Sequence, residues 1–369
     1  MPKKLKNVYA QICSFENLYE AYLEARKSKR YREEVLLFSA NLEENLYDLR
    51  NELMNKTYKE GVYHKFYVYM PRKRLIMALP FRDRVVQWAF YKVLNPHFIR
   101  GYITDSHACI TGRGSHSAID RLQYWLKDIQ NPHKPSGERW YYQKMDISSF
   151  YHRVNHDVVC RVCARKIADK DVLDYIRNNV NGDTPFGIPA GMKADEVPAE
   201  ERLYDVGIPI GSLMSQLYAN AVLDPVDQYA KRMLGIKYYM RYMDDILILH
   251  NNKRELNKWR RLIEAFINEE LKLDLSQKKT VMLPITQGID FVGYKIYNTH
   301  IRLRKSTAIR MKHRLRLLQK EYYEDKTDFK KIGHTLASYN GLLTHCDSYS
   351  LRKKLLDTLV FRRRNPQQE

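Results

Sequence analysis

With 369 residues, 44% of them hydrophobic and 12% aromatic, the chain can bury a large core and is long enough for two or three subdomains, which excludes an intrinsically disordered protein. Lys and Arg number 63 against 43 Asp and Glu, a formal net charge of +20 spread along the whole length, so a polyanion is the natural partner. Five cysteines are too few for a disulfide framework. The basic start MPKKLKNVYAQICSF lacks a signal-peptide core, and no stretch approaches the roughly 20 apolar residues of a membrane span. A cytoplasmic protein without membrane contact is expected.

Charge alone also fits a ribosomal protein or a membrane-surface binder, so the motifs must decide. Residues 1–60 read as helical, with Leu42, Leu46, Leu49 and Leu53 on one face and a charged stretch, ARKSKRYREE, before them. From Val62 to Ile76 the text alternates Tyr, Val and Phe with polar residues around a Pro, as in a hairpin with a basic tip. PFRDRVVQWAFYKVL then reads as a helix with Pro80 near its first turn and Val85, Trp88, Ala89 and Val93 on one side. Gly112, Arg113 and Gly114 precede Ser115, a candidate cap for the next helix. Backbone amides and a guanidinium offered together there would hold a phosphate, although a plain capped loop accounts for the same residues.

Cys160 and Cys163 form a lone CxxC in a helical run without a second pair, which reads as buried thiols rather than zinc ligands. Residues 181–206 have the Pro, Gly and acidic content of a surface excursion, and no chemistry is assigned to them. After residue 300 the chain is again basic and helical, with Ile309, Leu315 and Leu318 among cations, and a second apolar helix, LRKKLLDTLVF, precedes the RRRN tail. Such helices suit either a lid along a nucleic-acid backbone or a solvated bundle.

The sharpest local signal is YYMRYMDDILIL at 238–249, where adjacent aspartates interrupt an apolar run that reads as two strands around a tight turn. Within a plain buried strand one of the two charges would enter the core at a cost of several kcal/mol, whereas at a hairpin tip both reach a common ion. Asp146 ends another strand-like run and precedes a helix pattern. Alone, each aspartate also serves as a turn or cap residue. Together, Asp146, Asp244 and Asp245 form a candidate site for two divalent ions about 4 Å apart, with the Ile147 carbonyl as a further ligand.

YMDD at 242–245 and DISSFY at 146–151 resemble two catalytic motifs of reverse transcriptases. Other blocks resemble that family in its order: PRKRLIMALPFRDRVVQWAF, GIPIGSLMSQLYANAVLDPVDQ, LDLSQKKT and GIDFVGYKI. IGSLMSQ at 210–216, with SFENLYEAYLEARKSKR and ASYNGLLTHCDSYSLR, is similar to the reverse transcriptases of diversity-generating retroelements, although Ser-Leu-Met stands where that subgroup has Asn-Leu-Thr.

The resemblance implies an α+β right-hand polymerase: a helical extension at 1–60, fingers at 61–140, a palm with an antiparallel sheet at 141–298 carrying the 181–206 insertion, and a helical thumb at 299–369. It implies Mg2+ as the paired ion, with Mn2+ as the alternative. Template RNA, an RNA/DNA duplex and dNTPs are the implied partners, with a small basic accessory protein and a bacterial, archaeal or phage source. Arg72 and Arg74 are expected to grip the triphosphate. Tyr151 is expected under the sugar, and Ile210, Gly211 and Gln216 beneath the nascent pair. Ile210, where many relatives carry Gln, implies errors opposite template adenines. Lys278, with Lys279 beside it, is the candidate proton donor to pyrophosphate, and Gly112, Arg113 and Gly114 the contact to template or primer. Rival readings are a defence-type or retron-type reverse transcriptase and an inactive RNA-binding scaffold.

Overall fold

A computed structural model describes residues 3–69, 74–130 and 138–363. The described chain is α+β, as expected, with strands β1 (His64–Val68), β2 (Arg74–Ala78), β3 (Ser106–His107), β4 (Tyr141–Asp146), β5 (Tyr239–Tyr242), β6 (Asp245–His250), β7 (Val281–Pro284), β8 (Ile289–Phe291), β9 (Tyr294–Ile296) and β10 (Ile301–Leu303). It divides into two compact units interleaved in sequence: Met1–Thr111, Lys144–Leu247 and Asn257–Val281 form the first, and Gly112–Gln143, Ile248–Leu256 and Met282–Glu369 the second.

In the first unit the central sheet takes β3, β5, β6 and β4 in that order. Its pairings depart from an all-antiparallel sheet at one edge, where β3 runs parallel to β5 with Ser106 opposite Arg241. A two-residue strand reached from a distant part of the chain is free of the hairpin connection that forces antiparallel pairing. Behind the sheet, helices Phe81–Ile99 and Leu213–Gln228 bury most of their circumference. Trp88 and Val93 are only half-buried, while Phe90, Leu94 and Phe98 fill the interior, because a helix enclosed on most sides has no single apolar stripe to read.

The N-terminal helices follow the predicted pattern. Leu46, Leu49 and Leu53 are buried on helix Leu42–Met54, and helix Phe15–Ala25 begins at Ser14, whose hydroxyl accepts from the Asn17 amide. Strands β1 and β2 form the expected hairpin in the register His64 to Ala78 through Val68 to Arg74. Its basic tip lies outside the described residues. The CxxC falls within helix His156–Lys166, where Cys163 is buried, Cys160 is half-buried, and both thiols are free.

In the second unit, helices Lys305–Tyr323, Phe329–Leu343 and Tyr349–Thr358 close on Met311, Leu315, Leu318, Ile332, Leu343 and Leu355. Ile309, expected on the apolar stripe, is 56% exposed, because the buried row runs through Met311, Leu315 and Leu318 instead. Helix Ser115–Ile129 has Gly114, not Ser115, at its cap position. Ser115 is its first helical residue, and the Ser117 hydroxyl instead bonds the Gly114 carbonyl. Among the described residues, no helix is long and apolar enough to cross a membrane.

The first unit's sheet is fixed from within by one charged pair. Arg241 on β5 is fully buried, and its Nε and Nη2 donate to the two carboxylate oxygens of Asp227 at 2.8 and 2.7 Å. The rest of the guanidinium donates to Asn220 Oδ1, Ser106 Oγ and the carbonyl of Met243. Replacing Arg241 by Met leaves Asp227 charged and dry, and is expected to cost about 3–5 kcal/mol in urea unfolding. The double variant R241M/D227L removes both charges and should recover most of that loss; equal losses for the single and double variants would remove the pair from this role.

Candidate active site

The adjacent aspartates stand at a two-residue turn. β5 ends at Tyr242, Met243 and Asp244 form the bend, and Asp245 opens β6. Met243 takes a left-handed φ of 52°, a conformation such tight turns need, and its carbonyl is the one held by Arg241. Asp146 is the last residue of β4. The Ile147 amide donates to the Asp244 carbonyl at 3.3 Å, which ties the end of β4 to the turn.

The loop after helix Lys253–Leu271 is stitched to the same strand end: the Ser276 amide donates to the Asp146 carbonyl at 2.7 Å and the Ser148 amide to that of Asp274 at 2.8 Å. This brings Lys279 Nζ to 2.6 Å from Asp146 Oδ2. Lys144, two residues before Asp146, reaches Asp245 Oδ2 at 3.2 Å.

The three carboxylates feel one another. Burial, then the charges of Asp146 and Asp245, push the Asp244 carboxyl up to about 6. Asp245 is also raised, by burial first, with Lys144 opposing. Hard oxygen donors that crowd negative charge fit divalent cations in kind. They are not preset as a ligand cage, since among the described residues no three His, Cys, Asp or Glu side chains gather in metal-binding geometry. The ammonium groups of Lys279 and Lys144 instead pair with Asp146 and Asp245.

A cavity of about 840 Å³ in the first unit is walled by Arg74, Ile147, Tyr151, Ile210, Gly211, Gln216 and Asp244, so seven of the residues singled out in the sequence share one space. Arg72 lies outside the described residues. Lys278 is not on the wall, whereas its neighbour Lys279 is. Gly112, Arg113 and Gly114 belong to the second unit and start its helix Ser115–Ile129.

Gly211 cannot be replaced without cost, because its φ is +118° and an added Cβ would lie 3.0 Å from the Met77 carbonyl oxygen. At the same junction the Met77 amide donates to the Ile210 carbonyl at 3.0 Å, joining β2 to the loop before helix Leu213–Gln228.

Sequence reading missed part of this wall. The segment taken as a surface excursion contributes Ala194, Asp195, Glu196, Val197, Pro198 and Arg202. Backbone pairing holds it in place: Gly187 bridges Leu203, Asn155 bridges Val206, and the Gly207 and Ile208 amides donate to the carbonyls of Val154 and Tyr151 at 2.7 Å each. Phe186 packs with Tyr63, Met77 and Leu79 of the hairpin region. Main-chain hydrogen bonds leave no periodic trace in side-chain chemistry; the one usable signal was an arginine amid acidic and small residues.

Residues 59–296 match the family model for reverse transcriptase (RNA-dependent DNA polymerase). The chain therefore belongs to the reverse transcriptase family, whose activity is RNA-directed DNA synthesis. Over 294 residues it is 24% identical to protein YkfC of Escherichia coli K12, a match covering 70% of this chain and 73% of that protein. It is 34% identical over 73 residues to the group II intron-encoded protein LtrA of Lactococcus lactis subsp. cremoris, covering 20% of this chain and 11% of that one. Among solved structures, apo telomerase from Candida tropicalis aligns with a TM-score of 0.49 at 13% identity, over 69% of this chain and 50% of that chain.

The crowding of charge has a sign that can be measured. Because the Asp244 carboxyl is raised from its ordinary 3.8 to about 6, the folded state binds more protons than the unfolded chain between those values. The stability this gives is present below the unfolded value and is lost as pH rises through about 6. Carboxyl-carbon NMR of metal-free protein is expected to show Asp244 titrating near pH 6, and higher in Lys279→Met, since Lys279 opposes the rise. An ordinary carboxylate midpoint in both proteins would show that the three groups do not share a field.

Proposed function

We propose that this chain copies a template RNA into DNA at the 840 Å³ cavity, with Asp146, Asp244 and Asp245 and the Ile147 carbonyl holding two Mg2+ ions, Mn2+ serving as a substitute. The observation that carries this reading is the conjunction of three neighbouring carboxylates, of which Asp244 faces the cavity, with Arg74, Tyr151, Ile210, Gly211 and Gln216 around one space. Bound ions would supply charge stabilisation for the primer 3′-hydroxyl and the leaving pyrophosphate.

Each protein group then has a defined task. Arg74, with Arg72, binds the anionic triphosphate. Tyr151 lies beneath the sugar and excludes a 2′-hydroxyl by contact. Gly211 lets Gln216 and Ile210 approach the nascent base pair. Of the two lysines, Lys279 takes the proton-donor role in place of Lys278, because it stands on the cavity wall beside Asp146. In this reading residues 61–140 act as fingers, 141–298 as palm and 299–369 as thumb, with 1–60 a helical extension. Gly112, Arg113 and Gly114 contact the template or primer backbone at the start of their helix.

The retroelement assignment rests on sequence. IGSLMSQ at 210–216 is similar to the diversity-generating subgroup, and a relative named as a group II intron-encoded protein is consistent with a mobile-element template. An Ile at position 210 removes a polar check on pair geometry, so errors opposite template adenines follow as the proposed signature. A small basic accessory protein would complete the particle.

Primer extension on an RNA template with Mg2+ tests the site. Asp244→Ala is expected to lower incorporation by about 10³-fold or more, and undiminished extension by that variant ends the proposal. Sequencing the products of native protein and of Ile210→Gln addresses fidelity separately: the substitution should reduce misincorporation opposite adenine, and identical error spectra would detach Ile210 from it.

A further inference from the structure

Arg202 is the one cation of the cavity wall whose circumstances the reading above leaves unexplained. The residue is 7% exposed, and among the described residues its guanidinium has two partners, the carbonyls of Phe186 at 3.3 Å and Ala194 at 3.1 Å. Its Nε is buried with no hydrogen-bond partner. Among the described residues no carboxylate pairs with it: Glu196, on the same wall, is taken by Lys193.

Such an arrangement is costly on its own. An arginine stays charged at any working pH, and a guanidinium taken from water without a counter-ion loses hydration that two neutral carbonyls do not restore. Arg241, the other deeply buried arginine of this unit, shows the contrast, since Asp227 faces it with two oxygens. Arg202 instead lies on the space shared by Arg74, Tyr151 and Lys279. Burial pulls its ionisation down, and Tyr67 of β1, on the same wall, is the neighbour that acts against this. The missing partner is therefore an anion that arrives by way of the cavity.

We propose that Arg202 binds a phosphate oxygen of the incoming nucleoside triphosphate, so that residues 186–207 form a built wall of the nucleotide pocket. The proposal rests on the polymerase reading of the cavity and adds a binding residue to it. The guanidinium is oriented in advance, because Phe186 and Ala194 each take one N–H, from two different nitrogens, and three of its five donors stay uncommitted. A fork held in this way loses less side-chain freedom on binding than an exposed lysine would.

Steady-state primer extension with full-length Arg202→Gln and Arg202→Lys tests it, alongside inhibition by inorganic tripolyphosphate as a probe that carries no base or sugar. Loss of one charge-assisted hydrogen bond is expected to raise the dNTP KM of Arg202→Gln about 10- to 100-fold, with kcat changed far less. Tripolyphosphate inhibition should weaken by the same factor, and Arg202→Lys should fall between native and Gln. If KM is unchanged while template–primer affinity drops and its salt slope shrinks by about one, the phosphate comes from the nucleic-acid backbone and the assignment is overturned. A fall in kcat and melting temperature with both affinities intact overturns it too, leaving only a structural arginine. Should the Gln variant fail to fold, Arg202→Lys carries the same KM measurement. Failure of the underlying reading is distinct, since it appears as undiminished extension by Asp244→Ala, whereas tripolyphosphate binding by native protein and Arg202→Lys is scored without turnover.

Discussion

The ion pair between Arg241 and Asp227 is the constraint on which the acidic turn after β5 depends. One guanidinium reaches a carboxylate on helix Leu213–Gln228, a hydroxyl on β3, and the carbonyl of Met243 inside the turn itself. Burying a charge in this position is tolerated because every direction it faces supplies a partner. The result is a bend whose backbone is braced from behind, while the carboxylates of Asp244 and Asp245 are left to respond to whatever occupies the cleft in front. Rigidity beneath and electrostatic tension above are separate properties here, supplied by different residues.

That tension explains why the acidic cluster carries two lysines. Burial first, and then the charges of Asp146 and Asp245, push the Asp244 carboxyl up to about 6. Lys279 on Asp146 and Lys144 on Asp245 relieve part of it. Lys279 is half-exposed, so its ammonium stays partly hydrated while it pairs with Asp146. Lys279 sits on a short loop whose backbone is stitched to the same strand end through the Ser276 amide.

How much of this could be read in advance depended on the kind of interaction. The hairpin from Tyr239 to His250, the strand ending at Asp146 and the β1–β2 ribbon were legible, because alternation and turn chemistry are local. Asp146, Asp244 and Asp245 stood out because charge in an apolar run is improbable without a purpose. What stayed hidden was non-local. Helix Phe329–Leu343, with Gly333 and Gly341 inside it and Ile332 and Leu343 its only fully buried residues, gives a weak pattern. That Lys279 and not Lys278 pairs with Asp146 is a matter of one residue of register, set by non-local backbone bonds such as Ser276 to Asp146 and Ser148 to Asp274. The segment 181–206 looked like solvent-facing loop because its order comes from main-chain bridges, which any sequence lacking prolines at those points makes equally well.

That last feature carries a consequence for how such a chain changes over time. A partition held mainly by peptide groups leans on few side chains, here Phe186 in its apolar cluster and Arg202 on the carbonyls of Phe186 and Ala194, so exposed Asp195 and Glu196 are open to exchange while it stays put. Gly187 and Gly207, packed against each other too closely for a Cβ, are the fixed posts. The exposed positions between them, with buried Ile188, Val197 and Arg202 set apart, form a replaceable panel mounted on a fixed frame.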